Sequence, residues 1–265
     1  MRKKPSIILL AIAFVILFIQ GCFNPFNLAD IRPEENSFVN SEPEARKLLS
    51  EMGEAHQIHL WDSLESCTVI MEDEFYGFIG NQARPFKESK TSFSLDFIPG
   101  ASNGKLEILT GKETGMKWGT QSAEVYAVNE DGKAFFKKNK NMKFWIPTYQ
   151  YFVEFPKRIQ EATALEYLGK KELQGTTVEG VLASWGKVEP QKDIDQYLIW
   201  IDAETKKIVL IEYTIRDMYS FTSGGAHFKD YKDFHGFSIP TYLPTTSNLV
   251  KEGFLHEMRI QDFNI

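Results

Sequence analysis

The feature that most restricts the fold of this chain is a change of hydrophobic period after Leu64. From there the apolar residues recur every second position, the spacing of strands with two distinct faces. "SCTVIMEDEFYG", "KTSFSLDFIP", "GKLEILTG" and "QSAEVYAVNEDGKAFFKK" follow one another with turn signals between them. "LEYLGKKELQGTTVEGVLASWG" reads as two strands around Leu173, Gln174 and Gly175. "QYLIWIDAETKKIVLIEYTIRD" is the clearest hairpin. With residues 203–206 as its loop, Trp200 faces Val209 and Leu198 faces Ile211 on one side. Tyr197, Ile199 and Ile201 then meet Glu212, Leu210 and Ile208 on the other. Both faces are largely apolar, so the hairpin is expected to be central and covered twice. "GGAHFKDYKDFHGFSIPTYLP" and "GFLHEMRIQDFNI" complete the set. The expected architecture is mainly β (α+β): one curved antiparallel sheet or incomplete β-barrel of about 10–11 strands, with two helices packed on its concave side.

Two segments break the period. In "SEPEARKLLSEMGEAHQIHLW" the apolar residues Ala45, Leu48, Leu49, Met52 and Ala55 keep helical spacing, which predicts a helix over 42–57. Ser41 with Glu44 has the form of a capping box, and Pro43 suits the first turn. "FWIPTYQYFVEFPKRIQ" is aromatic on nearly every side. Pro147 suits a helix start there, and Pro156 an end or a kink.

The chain begins "MRKKPSIILLAIAFVILFIQGCFNPFN". Residues 7–19 are an unbroken run of thirteen apolar side chains behind Arg2, Lys3 and Lys4. A membrane-crossing helix needs about 20 such residues, so this run has the form of a signal-peptide core rather than a span. Its end, Ile19-Gln20-Gly21-Cys22, resembles the bacterial lipobox. The resemblance implies cleavage before Cys22 and acylation of that residue. Two or more acyl chains at about 0.8 kcal/mol per buried methylene would hold the protein stably to one leaflet. Phe23 rather than Asp after the cysteine favours the outer membrane, with the body on the periplasmic face. Residues 22–40, with two prolines, four asparagines and no periodicity, read as a tether to a body at 41–265.

Composition excludes several classes. The net charge is −6, and removal of the three positive charges before Cys22 leaves −9. That argues against nucleic acid as a partner and against electrostatic docking on anionic lipid headgroups. Cys67, the second of two cysteines, reads as a small buried hydrophobe, and no Cys/His metal spacing is present. Nothing in the chain calls for a cofactor. Aromatic residues make up 14% of the chain, with 21 Phe. That much flat apolar surface either fills a thick core or lines a cavity.

The order of elements is similar to that of bacterial outer-membrane lipoproteins with a LolA-like fold. The segments that carry the likeness are "EAHQIHLWDSLESCTV", "WIPTYQYFVEFPKRI", "EYLGKKELQGTTVEGVLASWG", "YLIWIDAETKKIVLIEYTIRD" and "FKDYKDFHGFSIPTYL", spread over 44–243. The resemblance implies a half-closed barrel with helices in its open side and a concave apolar surface. It does not carry over the soluble carrier's role.

The aromatic helix is the leading site. Trp145, Tyr149 and Phe152 fall at i, i+4 and i+7 and share a face. Leu198, Trp200, Val209 and Ile211 are placed opposite, so that a lipid or lipoprotein acyl chain would lie between helix and sheet. The alternative is that these residues simply fill the core, and that the domain is an envelope sensor or scaffold that contacts another protein through its edges. His56 and His59 read as caps on a helix C-terminus, His235-Gly236 as a turn, and His256 as solitary on a strand. Glu72, Asp73 and Glu74 read as a solvated strand end. Asp230 and Asp233 beside Lys229 and Lys232 read as edge charges that discourage strand addition. No nucleophile elbow, zinc-protease motif or phosphate loop is present, so no catalytic residue is assigned.

Overall fold

A computed structural model describes residues 41–129, 131–189, 191, 193–216 and 221–265. The signal segment, Cys22 and the tether lie outside the described residues. Among the described residues there are three α-helices: α1 (Glu42–Ala55), α2 (Gly77–Ala83) and α3 (Lys140–Arg158). Short 3₁₀ turns follow α1 and α3, at Ile58–Ser63 and Ile159–Glu161.

The first run of strands is β1 (Cys67–Phe75), β2 (Lys90–Phe97), β3 (Lys105–Ile108), β4 (Lys117–Gln121), β5 (Glu124–Val128) and β6 (Ala134–Phe136). After α3 come β7 (Ala164–Leu173), β8 (Thr176–Ser184), β9 (Gln196–Asp202), β10 (Ile208–Thr214) and β11 (Ser223–His227). The last are β12 (Lys229–Phe234), β13 (Phe237–Ser247) and β14 (His256–Asn264). They form one antiparallel sheet in the order β6-β5-β4-β3-β2-β1-β14-β13-β11-β10-β9-β8-β7, with β12 paired to β13 off that path. The sheet does not close on itself, since β6 and β7 end the order without pairing to each other.

The architecture is the expected one, with more strands. β4 is an addition to the sequence reading, and the carboxyl segment folds as β11, β12 and β13. Turn chemistry explains two of the hairpins. Gln174 and Gly175 take φ of 53° and 83°, and His235 and Gly236 take 55° and 89°, the paired left-handed residues of tight hairpin turns.

One face of the sheet carries the main core. Along β1, Cys67, Val69, Met71, Asp73 and Phe75 point inward and are buried, while their neighbours are partly exposed. α1 lays Ala45, Leu48, Leu49 and Met52 on β7 and β8. α3 lies over β2, β4 and β5 and buries Trp145, Ile146, Tyr149, Phe152, Val153 and Phe155. Each fully buried ring or branched chain of this kind contributes about 1.5–3 kcal/mol.

Local signals at the helix ends differ from the sequence reading. Ser41 does not cap α1 with its side chain; its hydroxyl accepts a hydrogen bond from the Tyr167 backbone N–H at 3.3 Å. α3 starts at Lys140, seven residues before Pro147, because Asn139 caps it by accepting from the Met142 N–H at 3.1 Å. Both Pro147 and Pro156 lie inside the helix. The burial of α3 on one side outweighs their preference to end it. α2 has no signal in the sequence reading. Trp145 Nε1 donates to the carbonyl of its last residue, Ala83, at 2.7 Å.

Candidate functional site

The inner layer under α3 is a continuous set of rings. Tyr149 lies 4.7 Å from Phe93 between ring centres, and 6.5 Å from Phe86. Trp145 meets Phe75 edge-on at 5.1 Å. Farther along, Phe152 meets Tyr213 at 5.6 Å, and Phe155 meets Tyr197 and Phe228 at 5.6 and 6.1 Å. Aromatic pairs at these spacings are in contact and contribute beyond their buried area.

A polar group sits inside this layer. Asp73 on β1 is fully buried, because it shares the parity of Val69, Met71 and Phe75. Tyr149 donates its hydroxyl to Asp73 Oδ2 at 2.8 Å, and His256 Nδ1 lies 2.8 Å from Asp73 Oδ1. His256 faces Phe75 across the β1–β14 ladder. Its ring stacks on Phe75 at 4.9 Å, with the Trp145 ring edge-on at 5.0 Å. Burial, and then the Asp73 charge, hold the Tyr149 phenol well above its ordinary range. All three side chains are sealed from solvent. A sealed Tyr–Asp–His group cannot touch a substrate while α3 is in place. What it does is tie α3 to the middle of the sheet. This corrects two sequence expectations: Asp73 is not a solvated strand end, and His256 is not solitary. Period-two counting from Cys67 was the signal that places Asp73 inward.

Further polar ties hold α3 at its flanks. Asn141 Nδ2 donates to the Arg84 carbonyl at 2.8 Å. Gln150 Nε2 donates to the Ala101 carbonyl, and Glu154 Oε1 accepts from the Gly100 N–H at 2.9 Å. Arg158 donates to the Gly100 carbonyl at 2.7 Å, and Lys157 pairs with Asp62 at 2.6 Å. Burial pushes the Glu154 carboxyl upward, opposed by the Gly100 and Gln150 bonds.

The sheet-side residues divide. Ile211 lies in the main core with Trp145, Tyr149 and Phe152. Leu198, Trp200 and Val209 lie on the other face, in a second cluster with Leu168, Val178, Leu182 and Leu210. The cause is a register shift between Ile208 and Leu210. Ile201 pairs with Ile208 as expected, but beyond the shift Trp200 pairs with Leu210 and Ile199 with Ile211. The rings opposite α3 are therefore Tyr197 and Tyr213. The hairpin is covered on both faces, as its composition required.

Trp200 is held tightly on the outer face. It lies over Gly180, where an added Cβ would stand 2.6 Å from the ring. Trp200 Nε1 donates to Glu212 at 2.9 Å, and Lys171 Nζ sits 3.4 Å from the ring centre. Burial pulls the Lys171 ammonium below its usual range, and Glu212 opposes it.

His56 also departs from expectation. It follows α1, but its ring is buried and Nε2 accepts the Ile208 N–H at 3.2 Å. Burial lowers it to about 3, the Ser238 carbonyl opposes this and Lys207 adds to it, so it is a neutral acceptor rather than a charged helix cap. His59 and His235 are exposed. Cys67 is a free, buried thiol pushed upward by burial, as its setting predicted.

An open antiparallel sheet with α3 filling its apolar side is a LolA-like fold. The solved structures it matches bear this out. An outer-membrane lipoprotein-sorting protein domain from Vibrio parahaemolyticus shares 10% identity, with 84% of this chain and 92% of that chain covered and a TM-score of 0.53. A DUF1329 family protein from Desulfovibrio piger shares 9% identity, with 85% and 93% covered and a TM-score of 0.52. Identity at this level establishes the fold alone. No family profile and no curated protein sequence matches the chain.

Proposed function

We propose that this chain is an envelope lipoprotein, held at the outer membrane by acyl groups on Cys22 with its body on the periplasmic side. Its body binds a hydrophobic ligand, a lipid or a lipoprotein acyl chain, between the sheet and α3. The observation that carries this reading is the inner layer itself. The sheet leaves its apolar face unclosed, and beside α1 the amphipathic α3 covers it with Trp145, Tyr149 and Phe152. The rings of α3 occupy the place a ligand would take, so binding requires α3 to lift. The Tyr149–Asp73 hydrogen bond is the internal latch on that movement. The lipoprotein-sorting role named for the Vibrio domain of like fold also supports this reading.

Native mass spectrometry after mild extraction from membranes tests it. A bound lipid is expected. An empty protein that also fails to brighten a hydrophobic fluorescent probe overturns it. The Cys22→Ala variant should lose fatty-acid labelling and leave the membrane fraction. Retention as the full-length species would make the amino-terminal segment a span.

A second reading is favoured by the ties from α3 to Ala83, Arg84, Gly100 and Ala101. In it the layer stays closed, and the domain is a scaffold or sensor for another envelope protein. Tyr149→Phe separates the two. Loss of the latch should raise probe binding and lipid occupancy under the first reading, and should only lower stability under the second.

A further inference from the structure

The sheet's free β6 end carries charge and exposed aromatic surface that the α3 site does not use. Phe135 and Phe136 are 48% and 72% exposed. As successive residues of a strand they leave opposite faces, and all three residues of β6 are exposed. Among the described residues β6 pairs with β5 alone, and none pairs with its other edge. Lys133, Lys137, Lys138 and Lys140 flank β6 in sequence and Lys105 lies beside it on a recess wall, all exposed. Among the described residues none of these five makes an ion pair with an acid, although Lys137 sits 5.1 Å from the Trp118 ring centre. Nearby lysines that have acids within reach do pair: Lys117 with Glu107 at 2.9 Å and Lys143 with Glu124 at 3.6 Å. The five lysines outnumber the nearby described acids, Glu124 on β5 and Asp131 in the β5–β6 turn, in a chain of net charge −6. Beside β6 lies a recess of about 480 Å³, walled by Tyr126, Phe135 and Phe136 and offering Lys105, Asn103 and Thr120.

We propose that this β6 surface seats on the headgroup region of an anionic lipid bilayer, with Phe135 and Phe136 at the interface and the lysines over the lipid phosphates. Aromatic rings and lysines together are the side chains that hold a protein surface at that depth. Lysines on an open strand also discourage strand addition, but that role leaves two exposed phenylalanines without a purpose. A second copy of the chain is a poor occupant, because a two-fold contact would set these lysines against their own copies. The inference needs neither acylation of Cys22 nor ligand binding under α3.

The test is hydrogen exchange of residues 133–143 in the full-length chain, reconstituted in nanodiscs of phosphatidylcholine alone or with added phosphatidylglycerol. Exchange should slow by about tenfold with phosphatidylglycerol, and the slowing should fade at about 0.5 M salt. The exposed triple variant Lys137→Glu, Lys138→Glu, Lys140→Glu should lose it, with an unchanged circular dichroism spectrum. Phe135→Ser with Phe136→Ser should weaken it even at low salt. Equal exchange in the two lipid compositions overturns the proposal. So does slowing that appears in detergent without lipid, or that tracks dimer formation on a sizing column.

Discussion

The β9–β10 hairpin presents two apolar faces of similar residue type, and they are covered in different ways. On the inner face Ile199, Ile201 and Ile211 are sealed under helices and rings. On the outer face Leu198, Trp200 and Leu210 are covered by other side chains of the sheet and by Lys171. The consequence shows in the polar groups. Outer Trp200 donates to Glu212, and the charged ends of Glu212 and Lys171 stay within reach of water. Inner Tyr149 has no such outlet and needs a buried carboxylate, which in turn needs His256. A helix-covered face must satisfy its polar atoms internally, and so it gains a latch that a side-chain-covered face does not.

Truncations sharpen this contrast. Phe93→Ala, at a fully buried inner position, should lower stability by about 3–5 kcal/mol in denaturant titration. Asp73→Ala should cost a similar ~3–5 kcal/mol, because it strands His256 and Tyr149 without their partner. If either costs less than 1 kcal/mol, the inner layer is looser than its geometry.

Acid should act on the inner side as well. His56 is held near 3 in the folded protein against an ordinary value near 6.5. The unfolded chain therefore takes up this proton first as pH falls. Stability should drop between pH 6.5 and 3, by at most about 1.4 kcal/mol per pH unit from this group. Glu154, shifted upward, works against that loss at the acid end, since the folded state then holds its proton more firmly. His56→Gln should flatten the slope near pH 6 in thermal melts.

Gly180→Ala should cost about 1–3 kcal/mol, since its Cβ would strike the Trp200 ring. Lys171→Ala should have the smallest effect, about 0.5–2 kcal/mol, read as a shift in melting temperature. A cost for Lys171→Ala as large as that for Phe93→Ala would erase the distinction between the faces.

The sheet, its main hairpins and the two long helices were legible because alternation and helical spacing are strong wherever one face is buried. Beyond α2 and the start of α3, three features were not. The segment Ile208-Val209-Leu210-Ile211 is apolar at every position, so nothing in its pattern fixes register, and the shift after Ile208 escapes a simple two-residue count. That one shift set Ile211 opposite Ile199 on the inner face and parted it from Leu198 and Trp200, which the alternation of β9 itself turns outward. β4 is short, and its Gly119 leaves space for the Tyr126 ring rather than supplying an alternating side chain. Asp73 was hidden by composition, since a run of three acids reads as wet although its parity points inward. On α3, Trp145, Tyr149 and Phe152 lie on the buried side as their spacing required.

The last strand of the chain lies beside the first, at the middle of the sheet. β14 zips to β1 from Phe75↔His256 to Thr68↔Asn264, and through it the β1–β6 run joins the β7–β13 run. Until residues 256–264 are available, the protein is two unseamed meanders with raw edges facing each other. The seam therefore joins residues far apart in sequence, and its loop-closure cost makes it a late pairing in folding.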